Sequence, residues 1–217
     1  MRTKCIVAVC VALLVGTLAQ SACALGVRPY LKLGYLLNGP SADDLDFVLV
    51  GGGNLDQFLD VNKTNYGAGV QFFPIESSSM LQGFAVRLGF DAGVQRLFTS
   101  EFQSDPSNLH WKTSETALGF LGVVELTPAK MSVPVFLQAG LGLDFVIWSD
   151  KADLHGVSDP DAGDSGMGTN LAVMVAGGVG IPVGPTASIP IMLRIDNVFR
   201  YGSLTTISAM VGLNIKL

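Results

Sequence analysis

Alternation of apolar side chains with small, polar or charged ones is the feature of this sequence that most constrains its fold. In Leu81–Phe98 an apolar residue occupies every even position from Phe84 to Val94, while Arg87, Asp91 and glycines occupy odd positions. A period of two residues is typical of a β-strand, because successive side chains of a strand point to opposite faces. A sheet in water buries its apolar face, whereas a closed barrel in lipid turns that face outward and its polar face into the lumen.

Composition favours the barrel in lipid. The 217 residues can form one large all-β domain, and 49% of them are hydrophobic while only 14% are charged. The mean hydropathy is +0.46. This surface would carry too little charge for an ordinary soluble protein.

The first 24 residues are typical of a secretory signal peptide. Arg2 and Lys4 form its charged start, Cys5–Leu18 forms its apolar centre, and Ala22-Cys23-Ala24 is a small-residue cleavage site. We therefore predict that residues 1–24 are removed.

The mature domain is then predicted to span residues 25–217 and to contain no cysteine. Disulfides and thiolate metal sites are not expected in such a chain. A lipoprotein anchored through Cys23 is the alternative, but the three preceding residues, Gln20-Ser21-Ala22, lack the leucine expected there.

Alternation predicts an all-β fold, an eight-stranded antiparallel transmembrane β-barrel. The even strand count is the one that bacterial outer-membrane barrels have. The predicted strands are Val27–Leu37, Thr64–Phe73, Gly83–Gln95, Glu115–Leu126, Val133–Trp148, Asn170–Val183, Ile189–Asn197 and Thr205–Leu217.

One segment allows a helical alternative, because Ser165–Leu193 is long enough to cross a bilayer as a helix and carries no charge. It also contains several glycines and prolines, and Gly184–Ser188 is typical of a turn. Two strands joined by that turn explain the segment better.

Charged residues test the barrel independently of the apolar pattern. Within the predicted strands they share the polar face, and Arg96, the exception, lies at a strand end. The inward set is Arg28, Lys32, Lys63, Arg87, Asp91, Glu115, Glu125, Asp144, Arg194, Asp196 and Lys216. A soluble β-sandwich would give the same alternation, but its water-exposed face would be rich in glycine, which suits the filling of a narrow lumen better.

The connections are predicted to alternate between long outward and short inward loops. The long ones are Asn38–Lys63, Arg96–Ser114 and Ser149–Thr169, and the short ones are Pro74–Gln82, Thr127–Ser132 and Gly184–Ser188. The outward loop Val198–Leu204 is short, and the first and third long loops are acidic. This alternation is the one expected of a bacterial outer-membrane barrel whose N-terminus lies on the periplasmic side.

Three segments carry a resemblance to a known family. They are Val27-Arg-Pro-Tyr-Leu-Lys-Leu-Gly-Tyr35, Pro134-Val-Phe-Leu-Gln-Ala-Gly-Leu-Gly-Leu-Asp-Phe145 and the last strand Thr205–Leu217. With them the mature chain resembles the small eight-stranded outer-membrane barrels, most of all the OmpW type. The resemblance implies a passive conduit that takes small hydrophobic molecules from an apolar pocket sideways into the membrane.

The predicted lumen contains two sets of candidate residues. Paired charges are expected because a buried charge needs a partner, and this network comprises Arg28, Lys32, Arg87, Asp91, Glu125, Asp144, Arg194, Asp196 and Lys216. An apolar pocket is expected in the outward half, formed by Leu36, Val146, Trp148, Met174 and Met210. The apolar run Leu45–Val50 in the first outward loop is expected to bind solute with the pocket or to fold over the mouth as a lid.

Two functions remain open at this stage. One is the hydrophobic conduit, and the other is a surface-exposed structural or adhesin barrel whose loops bind host or extracellular ligands. An apolar upper lumen that opens between strands would favour the conduit, and a lumen plugged along its length would favour the surface protein. A monomer surrounded by outer-membrane lipid is expected in either case.

Other chemistry is not expected. His110 and His155 are predicted to lie in outward loops, which leaves no histidine on a strand for a catalytic triad, so no enzyme is predicted. Asp159–Asp164 lacks the register of a calcium loop, so neither a metal nor a cofactor is expected. With 18 acidic and 13 basic residues, the chain is not expected to bind nucleic acid.

Overall fold

The computed structural model describes residues 26–38, 59–81, 83–104, 109–128, 131, 134–154, 157–159, 165–200 and 202–216. The predicted signal peptide, the alternative anchor Cys23, the apolar run Leu45–Val50 and His155 lie outside these residues. Among the described residues, no helix is long and apolar enough to cross a membrane.

The described residues form strands of very different length. In chain order they are β1 Gly26–Leu36, β2 Leu59–Asn62, β3 Thr64–Leu81, β4 Phe84–Ser104, β5 Leu109–Pro128, β6 Val135–Leu154, β7 Val157–Asp159, β8 Ser165–Pro182, β9 Ala187–Val198, β10 Leu204–Gly212 and β11 Asn214–Ile215.

Eight of these strands close a ring. The antiparallel pairs run β1–β3–β4–β5–β6–β8–β9–β10, and β10 pairs with β1 to complete the circle. β11 continues β10 and pairs with β1 and β9, whereas β2 and β7 add to the outer parts of β4 and β6. The predicted eight-stranded antiparallel barrel is confirmed, with its strands in the predicted order.

The barrel has two unlike ends. The lower end carries Gly26, Lys216 and the turn at residues 183–186 between β8 and β9. At the upper end, β4, β5 and β6 run on as a projecting sheet, flanked by β2 and β7.

This projecting sheet corrects the predicted loops. Arg96–Ser114 was expected to be a connection, but β4 continues to Ser104 and β5 begins at Leu109, with a bulge between Arg96 and Phe98. The predicted loop Ser149–Thr169 is shortened in the same way, because β6 extends to Leu154 and β8 begins at Ser165. At the lower end β3 extends to Leu81 and takes up most of the predicted loop Pro74–Gln82. The predicted strands were too short because only the segment against lipid needs an apolar face, and the alternation is lost beyond it.

The exterior wall of the ring is apolar. Large side chains such as Leu31, Phe90 and Leu193 are more than 60% exposed and belong to the parity opposite the buried charges. On β5 this wall runs from Thr116 to Leu126, roughly 33 Å along the strand and about 25 Å along the axis at a tilt near 40°. A row of hydroxyls, Ser114, Ser149 and Ser165, is cross-strand paired directly above it. The height matches the lipid-facing band of membrane barrels.

Candidate functional site

The lumen is filled by layers of polar side chains, and Glu125 organises the lowest layer. Its carboxylate accepts hydrogen bonds from Arg28 Nη1 at 2.7 Å, Arg87 Nη1 at 2.9 Å and Gln138 Nε2 at 2.7 Å. Both guanidinium groups also lie over the ring of Phe73, at 5.2 and 4.4 Å from its centroid. Each side chain in this layer is buried.

Asp91 and Asp196 organise the middle layer. Asp91 accepts hydrogen bonds from Tyr30 Oη at 2.6 Å and from Arg194 Nη1. Asp196 accepts from Arg194 Nε at 2.6 Å and from Lys32 Nζ at 3.2 Å. Arg194 therefore bridges two carboxylates, so each buried charge in this group has an opposite partner.

Gln71 connects the two layers. It accepts from Arg28 Nη1 at 3.1 Å, donates to Asp91 Oδ2 at 3.0 Å, and exchanges hydrogen bonds with Gln138 at 3.1 Å in both directions. The network is therefore continuous from the lower layer to the middle one, and Gln71 couples the two layers across the lumen.

The structure places eight of the nine residues of the predicted network inside the barrel. Asp144 is 4% exposed and lines a central void of about 10 Å³, beside Lys32 and Asp196. Lys216 differs, because it is exposed at the rim of a lower cavity of about 270 Å³. It lies beyond the end of β11, where water rather than the lumen surrounds the side chain.

The five predicted pocket residues do not form one pocket. Leu36 and Val146 are fully buried in an upper cluster with Leu97, Phe98, Ala117, Val198 and Leu204. Met174 and Met210 belong to a different, lower cluster with Tyr30, Phe73, Leu121, Val123, Phe136, Ala172, Ala176 and Met192.

Trp148 is separate from both clusters. The guanidinium of Arg200 lies 4.8 Å from the Trp148 ring centroid and donates to Glu115 Oε1 at 2.9 Å. The Arg200–Glu115 ion pair therefore packs a charged group against the indole of Trp148.

Sequence reasoning missed several members of this lumen. Tyr30, Gln71 and Gln138 have the parity of the inward charges, so that parity could have identified them. Arg200 could not be identified in this way, because it lies outside the strands and reaches Glu115 only through the folded connection between β9 and β10.

Glycines make room for the large side chains of the lumen. A Cβ on Gly93 would lie 2.7 Å from Tyr30 Oη, and one on Gly69 would lie 2.4 Å from it. On Gly166 it would lie 2.1 Å from the Trp148 ring. These contacts are shorter than packed carbon atoms allow, which explains why the lumen face is rich in glycine.

The candidate sites for other chemistry are sparse. Among the residues that the structure describes, no cluster of three or more His, Cys, Asp or Glu side chains could hold a metal ion. His110 was expected in a loop but lies on β5, where its Nε2 is 3.8 Å from Glu101 Oε2. Of Asp159–Asp164, residues 160–164 lie outside the described part of the chain.

The closed ring, apolar exterior and ion-paired lumen define the class of this protein as a transmembrane β-barrel of the outer-membrane type. No family model matches the sequence, and no curated protein matches it either.

Several solved structures are similar to it. Ail of Yersinia pestis is 10% identical, with 90% of this chain and 99% of that chain covered and a TM-score of 0.41. The outer membrane protein OprG of Pseudomonas aeruginosa is 9% identical, with coverages of 88% and 94% and a TM-score of 0.47. The outer membrane protease OmpT of Escherichia coli is 9% identical, with coverages of 88% and 97% and a TM-score of 0.45. The barrel fold of this chain is defined by its own strand pairing.

Proposed function

We propose that this chain is a monomeric β-barrel of the bacterial outer membrane with a sealed lumen, acting at the cell surface as a structural or adhesive protein. The observation that carries the proposal is the size of the central void, about 10 Å³. A void of this size has room for about one water molecule, so a continuous water column does not fit at that level.

The packing above this void and around it supports the same function. Leu36, Phe98 and Val146 have no exposed surface in the upper half, and Arg194 is held by two carboxylates in the middle. Opening a path would separate buried ion pairs, at about 3–5 kcal/mol for each charge left without a partner. The lumen is thus better suited to rigidity than to passage.

The upper end offers the surface for contacts outside the cell. The sheet of β4, β5 and β6, with β2 paired to β4, extends above the apolar wall and carries exposed charges such as Asp60, Glu101 and Lys151. Functional residues of rigid scaffolds are commonly found on such outer segments.

The conduit for small hydrophobic molecules is the other function that the sequence suggested. It needs an apolar void in the upper half of the barrel. The residues expected to form that void are packed in two separate clusters, with Trp148 covered by Arg200, which disfavours it.

Flux measurements can separate the two functions. We expect vesicles with the reconstituted full-length protein to pass neither a small ion nor a fluorescent hydrophobic permeant faster than protein-free vesicles. Selective flux of the hydrophobic permeant, slowed by Trp148→Asp, would contradict the sealed lumen and support the conduit.

Attachment provides the second measurement. Cells that display the protein should bind a surface coated with extracellular-matrix proteins better than cells without it. Lys151→Glu, in the upper sheet, should weaken this binding, whereas Lys216→Glu, an exposed lysine at the lower end, should not. Equal binding with and without the protein would contradict the adhesive role.

A further inference from the structure

The exterior wall contains a groove at the upper edge of the apolar band. Its volume is about 590 Å³, and it opens outward between β1, β3, β4 and β5. Its lining includes Leu31, Ala68, Val94, Tyr66, Arg96 and Thr116.

The lining changes from apolar to polar along the barrel axis. Leu31, Ala68 and Val94 are consecutive cross-strand partners and form the apolar lower row. Tyr66, Arg96 and Thr116 are partners in the row above it. Ser114 lies above that row. The groove is therefore apolar toward the bilayer centre and polar toward the headgroups, which is the order of the acyl chains and headgroup of a lipid in this leaflet.

Arg96 is the charged group of this groove. Its Nη1 donates a hydrogen bond to Tyr66 Oη at 3.1 Å, and its guanidinium lies 5.9 Å from the Tyr66 ring centroid. Both contacts are with a neutral side chain, and no carboxylate of the described residues lies within ion-pair distance of Arg96. At the upper edge of the apolar band an arginine side chain lies at the level of the lipid headgroups, where its charge attracts an anion.

The neighbouring charges do not supply that anion. The next charged row above the groove consists of Asp60, Glu101, Lys112 and Lys151, which are cross-strand partners. Two acidic and two basic side chains balance this row, and Lys112 donates its hydrogen bond to Glu101. The positive charge of Arg96 is therefore available to a ligand.

We propose that this groove binds a lipid of the outward-facing leaflet through a phosphate headgroup on Arg96, with an acyl chain over Leu31, Ala68 and Val94. Arginine matches phosphate geometry with two parallel hydrogen bonds. The hydroxyls of Tyr66, Ser114 and Thr116 surround the same position and add donors to the headgroup. The proposal rests on the membrane barrel of the proposed function and adds a specific lipid site to it.

The proposed lipid site can be tested by measuring which lipids stay bound to the protein. The full-length protein is reconstituted in vesicles that mix phosphatidic acid with phosphatidylcholine of identical acyl chains, and retained lipids are counted by native mass spectrometry. We expect the wild type to retain phosphatidic acid preferentially. Arg96→Gln should reduce that preference roughly fivefold, the effect of one cation near a charged lipid surface.

Three further variants distinguish the parts of the groove. Arg96→Lys should keep most of the preference, because the positive charge remains. Ala68→Trp fills the apolar floor on a lipid-exposed position and should reduce retention of the lipid without changing the charge. Lys112→Gln removes a cation outside the groove and should have no effect.

Equal retention of the two lipids by the wild type, or an unchanged preference in Arg96→Gln, would overturn the proposal. Loss in Ala68→Trp without loss in Arg96→Gln would identify a neutral acyl groove and also overturn the phosphate assignment. Failure to enter any vesicle would contradict the membrane barrel itself, whereas flux through the lumen would contradict the sealed barrel and leave the lipid site standing.

Discussion

Individual side chains in the lumen depend on each other through shared partners. The Asp91 carboxylate accepts hydrogen bonds from Tyr30, Gln71 and Arg194. These three donors lie on three other strands of the barrel, β1, β3 and β9. Removal of its carboxylate therefore leaves several buried donors without an acceptor. Such donors cost more than the lost hydrogen bonds contributed.

At the residue scale we predict that Asp91→Ala lowers the free energy of unfolding by about 3–5 kcal/mol, because Arg194 loses one of its two buried carboxylates. Glu101→Ala is the matched change on the same strand. It removes an exposed partner of Lys112, and its cost should stay below about 1 kcal/mol. Urea titration of the barrel in vesicles measures both, and equal losses would contradict the pairing of Arg194 with Asp91.

The Glu101 carboxylate lies above the apolar band, on the projecting sheet. Lys112 donates a hydrogen bond to it and holds the pKa of Glu101 below its usual range, with smaller contributions from the charge of Lys112 and from His110. A lowered carboxyl pKa stabilises the fold above the ordinary pKa, and this contribution is lost as the pH falls through the lowered value. The effect is small here because the pair is exposed.

Each strand of the barrel has two environments along its length as well as two faces. β6 is the clearest case, since Leu141 and Leu143 are exposed on the apolar wall and Ser149 and Lys151 follow on the same face higher up. The face is continuous in direction, but its solvent changes from lipid to water near Ser149.

At the element scale we predict that Leu141→Arg costs about 2–4 kcal/mol of stability, because it places a charge on the lipid face near the middle of the band. Ser149→Arg is its control on the same face of β6, above the band, and should cost less than about 1 kcal/mol. Folding into vesicles, followed by the heat-dependent shift of the barrel on gels, reports the difference. A lipid-facing wall is excluded if both variants fold equally well.

The whole molecule is polarised from its lower to its upper end. Both described chain ends and a short turn lie below, while the projecting sheet lies above. In membrane barrels the short turns face the periplasm and the longer segments face outward. The upper end is therefore expected outside the cell.

At the scale of the whole molecule we predict that Lys151→Cys reacts with a membrane-impermeant maleimide on intact cells. Thr186→Cys, in the lower turn, should react only after the cells are permeabilised. The three native cysteines all precede residue 24, so a processed chain offers no competing thiol. Labelling in the reverse order would invert the topology.

The sequence by itself determined the eight barrel strands, their order and the two faces of each one. These properties are local, because the direction of a side chain alternates along a strand whatever its neighbours are. The same parity separated Arg28, Lys32, Arg87 and Arg194 from the apolar wall. Lumen and exterior could thus be distinguished without knowledge of any contact.

Only the tertiary structure decided which of these residues meet and where the strands end. Arg194 and Asp91 are 103 residues apart, and their contact depends on the register and closure of the whole ring. For the same reason the residues of the predicted apolar pocket belong to two separate clusters. Leu36 and Met210 both point into the lumen but lie at different heights along the barrel axis. Above the lipid, backbone pairing rather than apolar burial continues β4, β5 and β6, and pairing between strands leaves no periodic signal in the sequence.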